Sequence, residues 1–308
     1  MKKILITGAA GFIGSTLANF ISHKEKLILV DDMSQGNISN LNKDLVPKLI
    51  KKAIQDVPIN FFKNVDCIIH LAAQSVVRFS ITDFYKSSKK NINSSLYVFE
   101  IARKFNIPVI YASSCAVYGS FKIGNDYKEN KVGILSPYAQ DKYTAEQYAK
   151  IMSKVFKVRT VGLRFFNIYG PNQKESNPYS GVIPIFVNRA KKNKIIKING
   201  GNQTRDLVFV EDVVKILLLL RKKIIKDKKN VSKIFNVCTG KSFSVNNIYQ
   251  NIILFTKSLS KKKYYKLPSG DPIKSSGSNN KLLKYLKIKN NFFTEFKKGL
   301  EITINANK

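Results

Sequence analysis

Apolar and polar positions along this chain follow two alternating rhythms. Short, mostly apolar runs occur at residues 3–7, 27–30, 67–73, 109–114 and 159–165. That length suits a strand, and continuity rather than alternation is what a strand covered on both faces requires. Between the runs, helices are expected over 15–22, 83–105 and from Pro137 through residue 150. Pro at a first helical position, followed by good helix formers, is a helix start. Residues 37–52 are rich in Lys and Asn and show no periodicity, and 54–57 reads as the end of a third strand. Strand and helix thus alternate through about the first 165 residues, the order of an α/β fold with a doubly wound parallel sheet.

Residues 119–135 read as a polar loop containing glycine, and beyond Phe165 the regularity loosens. A helix is expected over 182–192 and a strand over 194–199. Further strands at 206–210 and 234–237 flank a helix at 212–221. Residues 258–278 read as loop with one strand near Tyr264, followed by a helix at 279–286 and an amphipathic C-terminus. No internal repeat is visible. The expected division is a nucleotide-binding domain over 1–166, to which 205–240 returns, and a smaller lobe over 167–308 that holds substrate.

Composition changes this picture little. The 308 residues are 44% hydrophobic, an ordinary globular value that can build a large core. A formal net charge of +33 invites a nucleic-acid or membrane reading. Against it, only seven of the 53 basic residues are Arg, and the Lys residues run from Lys2 to Lys308 without clustering. Base and phosphate readers favour clustered Arg, so neither nucleic acid nor membrane is expected as a partner. Cys67, Cys115 and Cys238 are scattered and lack metal-ligand spacing, which points to a reducing, cytoplasmic setting. With only His23 and His70, no metal site is expected. The apolar start is broken by Gly8, Gly11 and Gly14, and the run 213–220 is too short to span a bilayer.

The chemistry begins at the first strand. It meets a turn with Gly8, Gly11 and Gly14, and a helix follows. Gly8 permits the tight turn, Gly11 lets backbone approach a pyrophosphate, and Gly14 lets helix pack on strand, so an anion can sit at the positive helix end. The second strand ends in Asp31 and Asp32, where an acid suits the hydroxyls of an adenosine ribose and repels a 2′-phosphate. NAD is therefore expected rather than NADP. Asp56, at the third strand end, faces the adenine in this reading, and the small residues after His70 would flank a nicotinamide ribose. His70 itself is expected to be a satisfied core histidine. Ser113 and Ser114 stand at the carboxyl end of the fifth strand, the side on which such sheets bind ligands. Tyr138 and Lys142, one helical turn apart, share a face with Cβ atoms roughly 6 Å apart. An ammonium beside a phenol is expected to lower its pKa, as a tyrosine base needs.

These residues resemble, over essentially the whole chain, the extended short-chain dehydrogenase/reductases that act on nucleotide sugars. Within them the chain is most similar to the UDP-glucose and UDP-N-acetylglucosamine 4-epimerases. The resemblance rests on the glycine turn 8–14, His70-Leu-Ala-Ala73, the segments 113–119, 136–142, 163–171 and 179–184, Gln203-Thr-Arg-Asp206 and Phe235-Asn-Val237. It implies a Rossmann-type fold, NAD as cofactor, a UDP-sugar as substrate and a homodimer built through the helices near 83–105 and 138–156. It implies Ser114, Tyr138 and Lys142 as the catalytic set. NAD would be bound by Gly8, Gly11, Phe12, Ile13, Gly14, Asp31, Asp32, Ser34, Gly36, Asp56, Val57, Leu71, Ala72, Ala73, Gln74, Asn91, Tyr138, Lys142 and Phe166. The substrate would meet Ser114, Asn167, Val182, Lys197, Asn199, Arg205, Asp271 and Ser275, with Arg205 suited to gripping a diphosphate.

Two departures from related patterns narrow the reaction. The 4,6-dehydratases carry an Asp-Glu pair directly after the serine position, and the decarboxylases a Glu two residues after it. Here Cys115 and Ala116 stand there, so 4-epimerisation is expected ahead of dehydration, of reduction, and of a non-catalytic RNA-binding member of the fold. By the resemblance, Ser275 stands where these epimerases gate the sugar pocket, and it leaves room for an N-acetyl group that a Tyr would exclude. UDP-N-acetylglucosamine and UDP-N-acetylgalactosamine are thus expected substrates, alongside UDP-glucose and UDP-galactose. Where these epimerases carry a phosphate-binding Arg, this chain has Pro268, leaving Lys266 or Lys274 to compensate or a uronic acid form as the substrate.

Overall fold

The computed structural model describes residues 3–121, 123–173, 181–227, 231–267 and 272–306. Its strands are β1 (Lys3–Thr7), β2 (Lys26–Val30), β3 (Leu49–Ile50), β4 (Cys67–His70), β5 (Val109–Ser114), β6 (Thr160–Phe165) and β7 (Asn167–Tyr169). They continue with β8 (Ile196–Asn199), β9 (Thr204–Phe209), β10 (Ser232–Val237), β11 (Ser242–Ser244), β12 (Lys262–Tyr265) and β13 (Lys274–Ser275). The helices are α1 (Phe12–Ile21), α2 (Val77–Thr82), α3 (Phe84–Phe105), α4 (Pro137–Phe156) and α5 (Val182–Lys191). After them come α6 (Val210–Lys226), α7 (Val245–Thr256), α8 (Asn280–Leu286) and α9 (Phe296–Ala306).

The chain forms two compact units. The first comprises Met1–Val117, Ser136–Arg164 and Val213–Phe235, the second Tyr118–Leu135, Phe165–Asp212 and Asn236–Lys308. Residues 118–135, placed with the nucleotide-binding part by the sequence pattern, go with the second unit, and the segment that returns to the first is 213–235.

The seven-stranded Rossmann-type sheet runs β10-β6-β5-β4-β1-β2-β3. The pairs β1–β2, β1–β4, β2–β3 and β4–β5 are parallel. β4 is buried at all four positions, which is why these strands read as continuous apolar runs. Chain order departs in both directions from β1, so the β1/β4 boundary is the switch point at which such sheets open a ligand crevice. The core beneath includes Leu5, Phe62, Ile68, Val98, Val109, Tyr111 and Ile234. In the second unit, β9 is flanked by β11 and β13 and also pairs with β7, while β8 pairs with β12. Its core gathers Tyr169, Phe186, Ile198, Phe209, Ile248, Phe296 and Leu300.

Several expectations needed correction. The third strand is Leu49–Ile50, inside the stretch without periodicity, and Ile54–Asp56 is a 3₁₀ turn. Ile54 and Val57 are both buried. Their spacing of three is the repeat of a 3₁₀ turn and not the alternation of a strand. Helix α1 begins at Phe12, with Gly11 as its cap, three residues earlier than expected. α6 runs from Val210 to Lys226, longer at both ends than expected. α7, capped by the Ser244 side chain on the Asn247 amide, and the short strands β7, β11 and β13 had no counterpart in the pattern.

Candidate active site

The glycine turn lies at the switch point. Gly8 has φ of 70°, and a Cβ there would stand 2.7 Å from the Ala72 amide nitrogen in the loop after β4. Gly14 packs directly on the Gly8 carbonyl with no room for a side chain. Both are therefore backbone-contact positions. The turn leads into the N-terminus of α1, where Phe12 and Ile13 are half-buried and free amides favour an anion. Asp31 ends β2 with a buried carboxylate that accepts the Ala10 amide at 2.9 Å and the Met33 amide at 2.8 Å. Burial raises its pKa, and those amides work against the rise. Gly36 is adjacent, since a Cβ there would be 2.7 Å from Asp31 Oδ1. Asp32 is exposed and accepts from the Ser34 amide, the Ser34 hydroxyl and Lys90 Nζ at 3.1 Å. Burial pushes its carboxyl upward, but Ser34 and Lys90 outweigh it and hold it below the usual range. Asp56 is exposed on its 3₁₀ turn, and the neighbouring Val57 carbonyl accepts the Tyr97 hydroxyl at 2.6 Å.

On the other side of the crevice the loop after β4 is tied to β1 and α3. The Leu71 amide donates to the Thr7 carbonyl at 3.1 Å and the Ala72 amide to Thr7 Oγ1 at 3.2 Å. Ala73 follows, half-buried. Gln74 closes the loop, its amide donating to Asn91 Oδ1 at 2.8 Å and its carbonyl accepting from Asn91 Nδ2 at 3.2 Å. His70 is a satisfied core histidine: Nδ1 pairs with Thr7 Oγ1 at 2.7 Å, and burial drives its pKa down to about 3. A backbone cradle with no room for side chains, a helix N-terminus and a buried ribose-side acid together fit a dinucleotide.

The catalytic candidates converge at the carboxyl end of β5. Ser136 caps α4 by accepting the Ala139 amide at 3.2 Å, and Pro137 takes the first helical position. Tyr138 is buried, with the Ser114 side chain acting on its phenol, and its amide donates to Ser80 of α2 at 3.1 Å. Lys142 lies one turn on, with Nζ 5.8 Å from the Tyr138 ring centroid. It donates to the Ala112 carbonyl at 2.9 Å. Burial pushes the Tyr138 phenol up to about 12, against the Ser114 hydrogen bond, with Cys115 and Asp141 adding to the rise. The expected lowering by Lys142 is thus reversed here: desolvation wins, and the ammonium is turned toward β5. Burial brings Lys142 itself down to about 8, with Asp141 acting in the opposite sense.

Glu146 and Arg164 went unnoticed in the sequence, and Ser113 was marked only for its place at the end of the fifth strand. Arg164 Nε and Nη2 reach the two Glu146 oxygens at 2.8 and 2.6 Å, and Ser113 Oγ donates to Oε1 at 2.5 Å. Neither charged side chain has any exposed surface. This pair pins α4 to β5 and β6 beside Ser114. Two signals marked it: an arginine inside the apolar run 160–165, and a carboxylate one turn after Lys142.

The second unit gathers three of the substrate candidates. Asn167 Nδ2 donates to the Asp206 carbonyl at 3.0 Å and to Ser275 Oγ at 3.3 Å. Ser275 is the register partner of Arg205 across β13–β9. Arg205 donates to the carbonyls of Thr204 and Pro272 at 3.0 and 2.8 Å. Below them Asp206 is fully buried, accepting from Thr239 and Gly240, and burial lifts its pKa to about 6. Val182 opens α5, and Lys197 and Asn199 are on the exposed face of β8. Phe166 belongs to this unit and packs beside Tyr118, ring centroids 6.4 Å apart. Asp271 and Pro268 lie outside the described residues. Among the described residues there is no group of three or more His, Cys, Asp or Glu that could hold a metal, and no helix is long and apolar enough to cross a membrane.

Residues 4–238 match the model of a family described as the NAD dependent epimerase/dehydratase family. A Methanocaldococcus jannaschii protein with the provisional name UDP-glucose 4-epimerase is 36% identical over 255 residues, 81% of each chain. A dTDP-D-glucose 4,6-dehydratase of Dictyostelium discoideum is 33% identical over 272 residues, covering 80% of this chain and 60% of the relative. The solved UDP-N-acetylglucosamine 4-epimerase of Methanobrevibacter ruminantium M1, in complex with UDP-N-acetylmuramic acid, is 30% identical. It superposes with a TM-score of 0.91 over 99% of this chain and 98% of its own.

Proposed function

The chain belongs to the NAD dependent epimerase/dehydratase family, and from that premise we propose that it is a UDP-sugar 4-epimerase. Its proposed substrates are UDP-N-acetylglucosamine and UDP-N-acetylgalactosamine, with UDP-glucose and UDP-galactose also accepted. The observation that carries the reaction type is the surroundings of Ser114. Cys115 and Ala116 follow it directly into a 3₁₀ turn. The α4 carboxylates are engaged elsewhere: Asp141 accepts from Ser88 and Asn91, and Glu146 from Arg164 and Ser113. A dehydration needs a further acid and base at the sugar, and neither residue after Ser114 carries a carboxyl group for that work.

The proposed roles follow from the geometry. Ser114 holds the sugar O4 that Tyr138 must reach, since the Ser114 side chain acts on the Tyr138 phenol. Tyr138 takes the O4 proton and later returns it, acting as base and then acid. Lys142 holds the nicotinamide ribose and adds positive charge near the phenol. The Gly8–Gly14 turn, Asp31 and Gln74 would hold NAD, which would supply a reversible hydride acceptor for C4 and a positively charged ring. Asn167, Val182, Lys197, Asn199, Arg205, Asp271 and Ser275 would take the uridine diphosphate and the sugar. Ser275, a small side chain within 3.3 Å of Asn167 Nδ2, supports room for an N-acetyl group.

The test is a panel of UDP-sugars with product identification. UDP-N-acetylglucosamine should give UDP-N-acetylgalactosamine with no net NADH change. A 4-keto-6-deoxy product or steady NADH consumption would overturn the epimerase reading in favour of a dehydratase or reductase. The variant Ser275→Tyr should lose activity on the N-acetylated pair by about 100-fold while keeping that on UDP-glucose, because a bulky ring fills the space without touching the reacting atoms.

We also propose a homodimer through α3 and α4. Phe84 and Tyr85 of α3 and Tyr148, Ile151, Val155 and Phe156 of α4 are each at least 40% exposed. Such a stripe on two adjacent helices suits burial against a second copy. Light scattering should return twice the chain mass.

A further inference from the structure

A carboxylate outside the proposed catalytic set lies next in the chain to Lys142. Asp141 is 6% exposed. One of its oxygens, Oδ2, accepts from Ser88 Oγ at 3.1 Å and from Asn91 Nδ2 at 3.0 Å, both donors on α3. The Asn91 amide is thereby oriented. With its NH₂ held by Asp141, its carbonyl oxygen faces the Gln74 amide and accepts it at 2.8 Å. The same NH₂ also reaches the Gln74 carbonyl at 3.2 Å. An amide flipped the other way would set oxygen against a carboxylate and NH₂ against an N–H, losing these bonds and adding repulsion. Gln74 in turn braces the start of α2, accepting the Val76 amide on Oε1 at 2.6 Å.

We propose that Asp141 is a positioning residue: by fixing the direction of the Asn91 amide it holds the 71–74 loop in the shape that receives the dinucleotide, and so joins the catalytic helix to the cofactor crevice. The proposal rests on the cofactor crevice assigned above. A surface salt bridge would not need such burial or two neutral donors. Asp141 accepts charge-assisted hydrogen bonds, stronger than neutral ones, in a site shielded from water. Its charge also opposes the effect of burial on Lys142, a second contribution from the same side chain.

The experiment strips bound cofactor from the full-length protein and titrates it with NADH, following nicotinamide fluorescence, for wild type, Asp141→Ala and Asp141→Asn. Loss of a hydrogen bond to a buried charged group predicts that Asp141→Ala weakens NADH binding by about tenfold or more. Asp141→Asn keeps an oxygen that can accept from Asn91 and should recover most of that loss. A residue that only stabilised α4 would lower the melting temperature in both variants without this split in affinity. Asp141→Ala that binds NADH within twofold of wild type, or Asp141→Asn that binds as poorly as Asp141→Ala, overturns the proposal. If Asp141→Ala does not fold, Asn91→Ala interrupts the same chain of bonds, and unchanged NADH affinity there overturns it equally. Wild-type protein that binds NADH but converts no UDP-sugar refutes the proposed function and leaves this measurement standing.

Discussion

Tyr138→Phe should lower epimerisation by about 10²–10⁴-fold while NAD stays bound and the fold is preserved. The change removes one oxygen from a ring that is 8% exposed and leaves the packing volume intact. Ser114 acts on its hydroxyl, and Ser114 Oγ retains the Ala116 amide at 3.1 Å as a partner. The stability cost should therefore be about 1 kcal/mol, the net worth of one hydrogen bond. The catalytic cost is larger, because no other described group at Ser114 is placed to move the O4 proton, and positioned acid–base groups contribute roughly 10²–10⁴ in rate. Product analysis under saturating UDP-sugar, with bound NAD read from absorbance of the denatured protein, checks both halves. Turnover within tenfold of wild type would remove Tyr138 from its proposed role. The raised phenol pKa adds a further constraint. At about 12, the group is protonated at neutral pH, so positive charge from Lys142 and from the bound cofactor has to offset burial before Tyr138 can act as base.

The second large effect is structural. Glu146→Ala should destabilise the protein by about 3–5 kcal/mol, because it leaves the fully buried Arg164 guanidinium without its carboxylate and strips Ser113 of its acceptor. Against a total stability of about 5–15 kcal/mol, that is a large share. The double variant Glu146→Leu with Arg164→Met should be more stable than Glu146→Ala, since two charges leave together and the space stays filled. Urea unfolding of the three proteins decides it. If the single variant loses under 1 kcal/mol, the buried pair does not hold α4 on the sheet. Activity should fall with stability in the single variant, as Ser113 precedes Ser114 and α4 carries Tyr138.

Much of the cofactor crevice was legible because its determinants are local. A glycine with φ of 70°, a strand of unbroken apolar residues and an acid at a strand end each declare themselves over a few neighbouring positions. The Tyr138–Lys142 spacing is likewise a property of one helix. The third strand escaped notice since two residues, Leu49 and Ile50, produce no period to detect. α7 has a Ser244 cap and buries Val245, Ile248 and Ile252 at helical spacing, but Asn246, Asn247 and Asn251 are poor helix formers that blur its signal.

By itself the sequence determined the α/β class, the glycine turn, the acid at Asp31, the one-turn spacing of Tyr138 and Lys142, and the absence of an acid pair after Ser114. Each depends on residues a few positions apart, where steric limits and helix geometry act directly. Only the tertiary structure decided that Tyr138 is desolvated, with its pKa raised instead of lowered, that Arg164 is neutralised by Glu146, and that Asp141 reaches the cofactor loop through Asn91. Those outcomes depend on burial and on partners 18 and 50 positions away in the chain. The energy of a charge is set by the dielectric and the groups around it, and no local pattern encodes either.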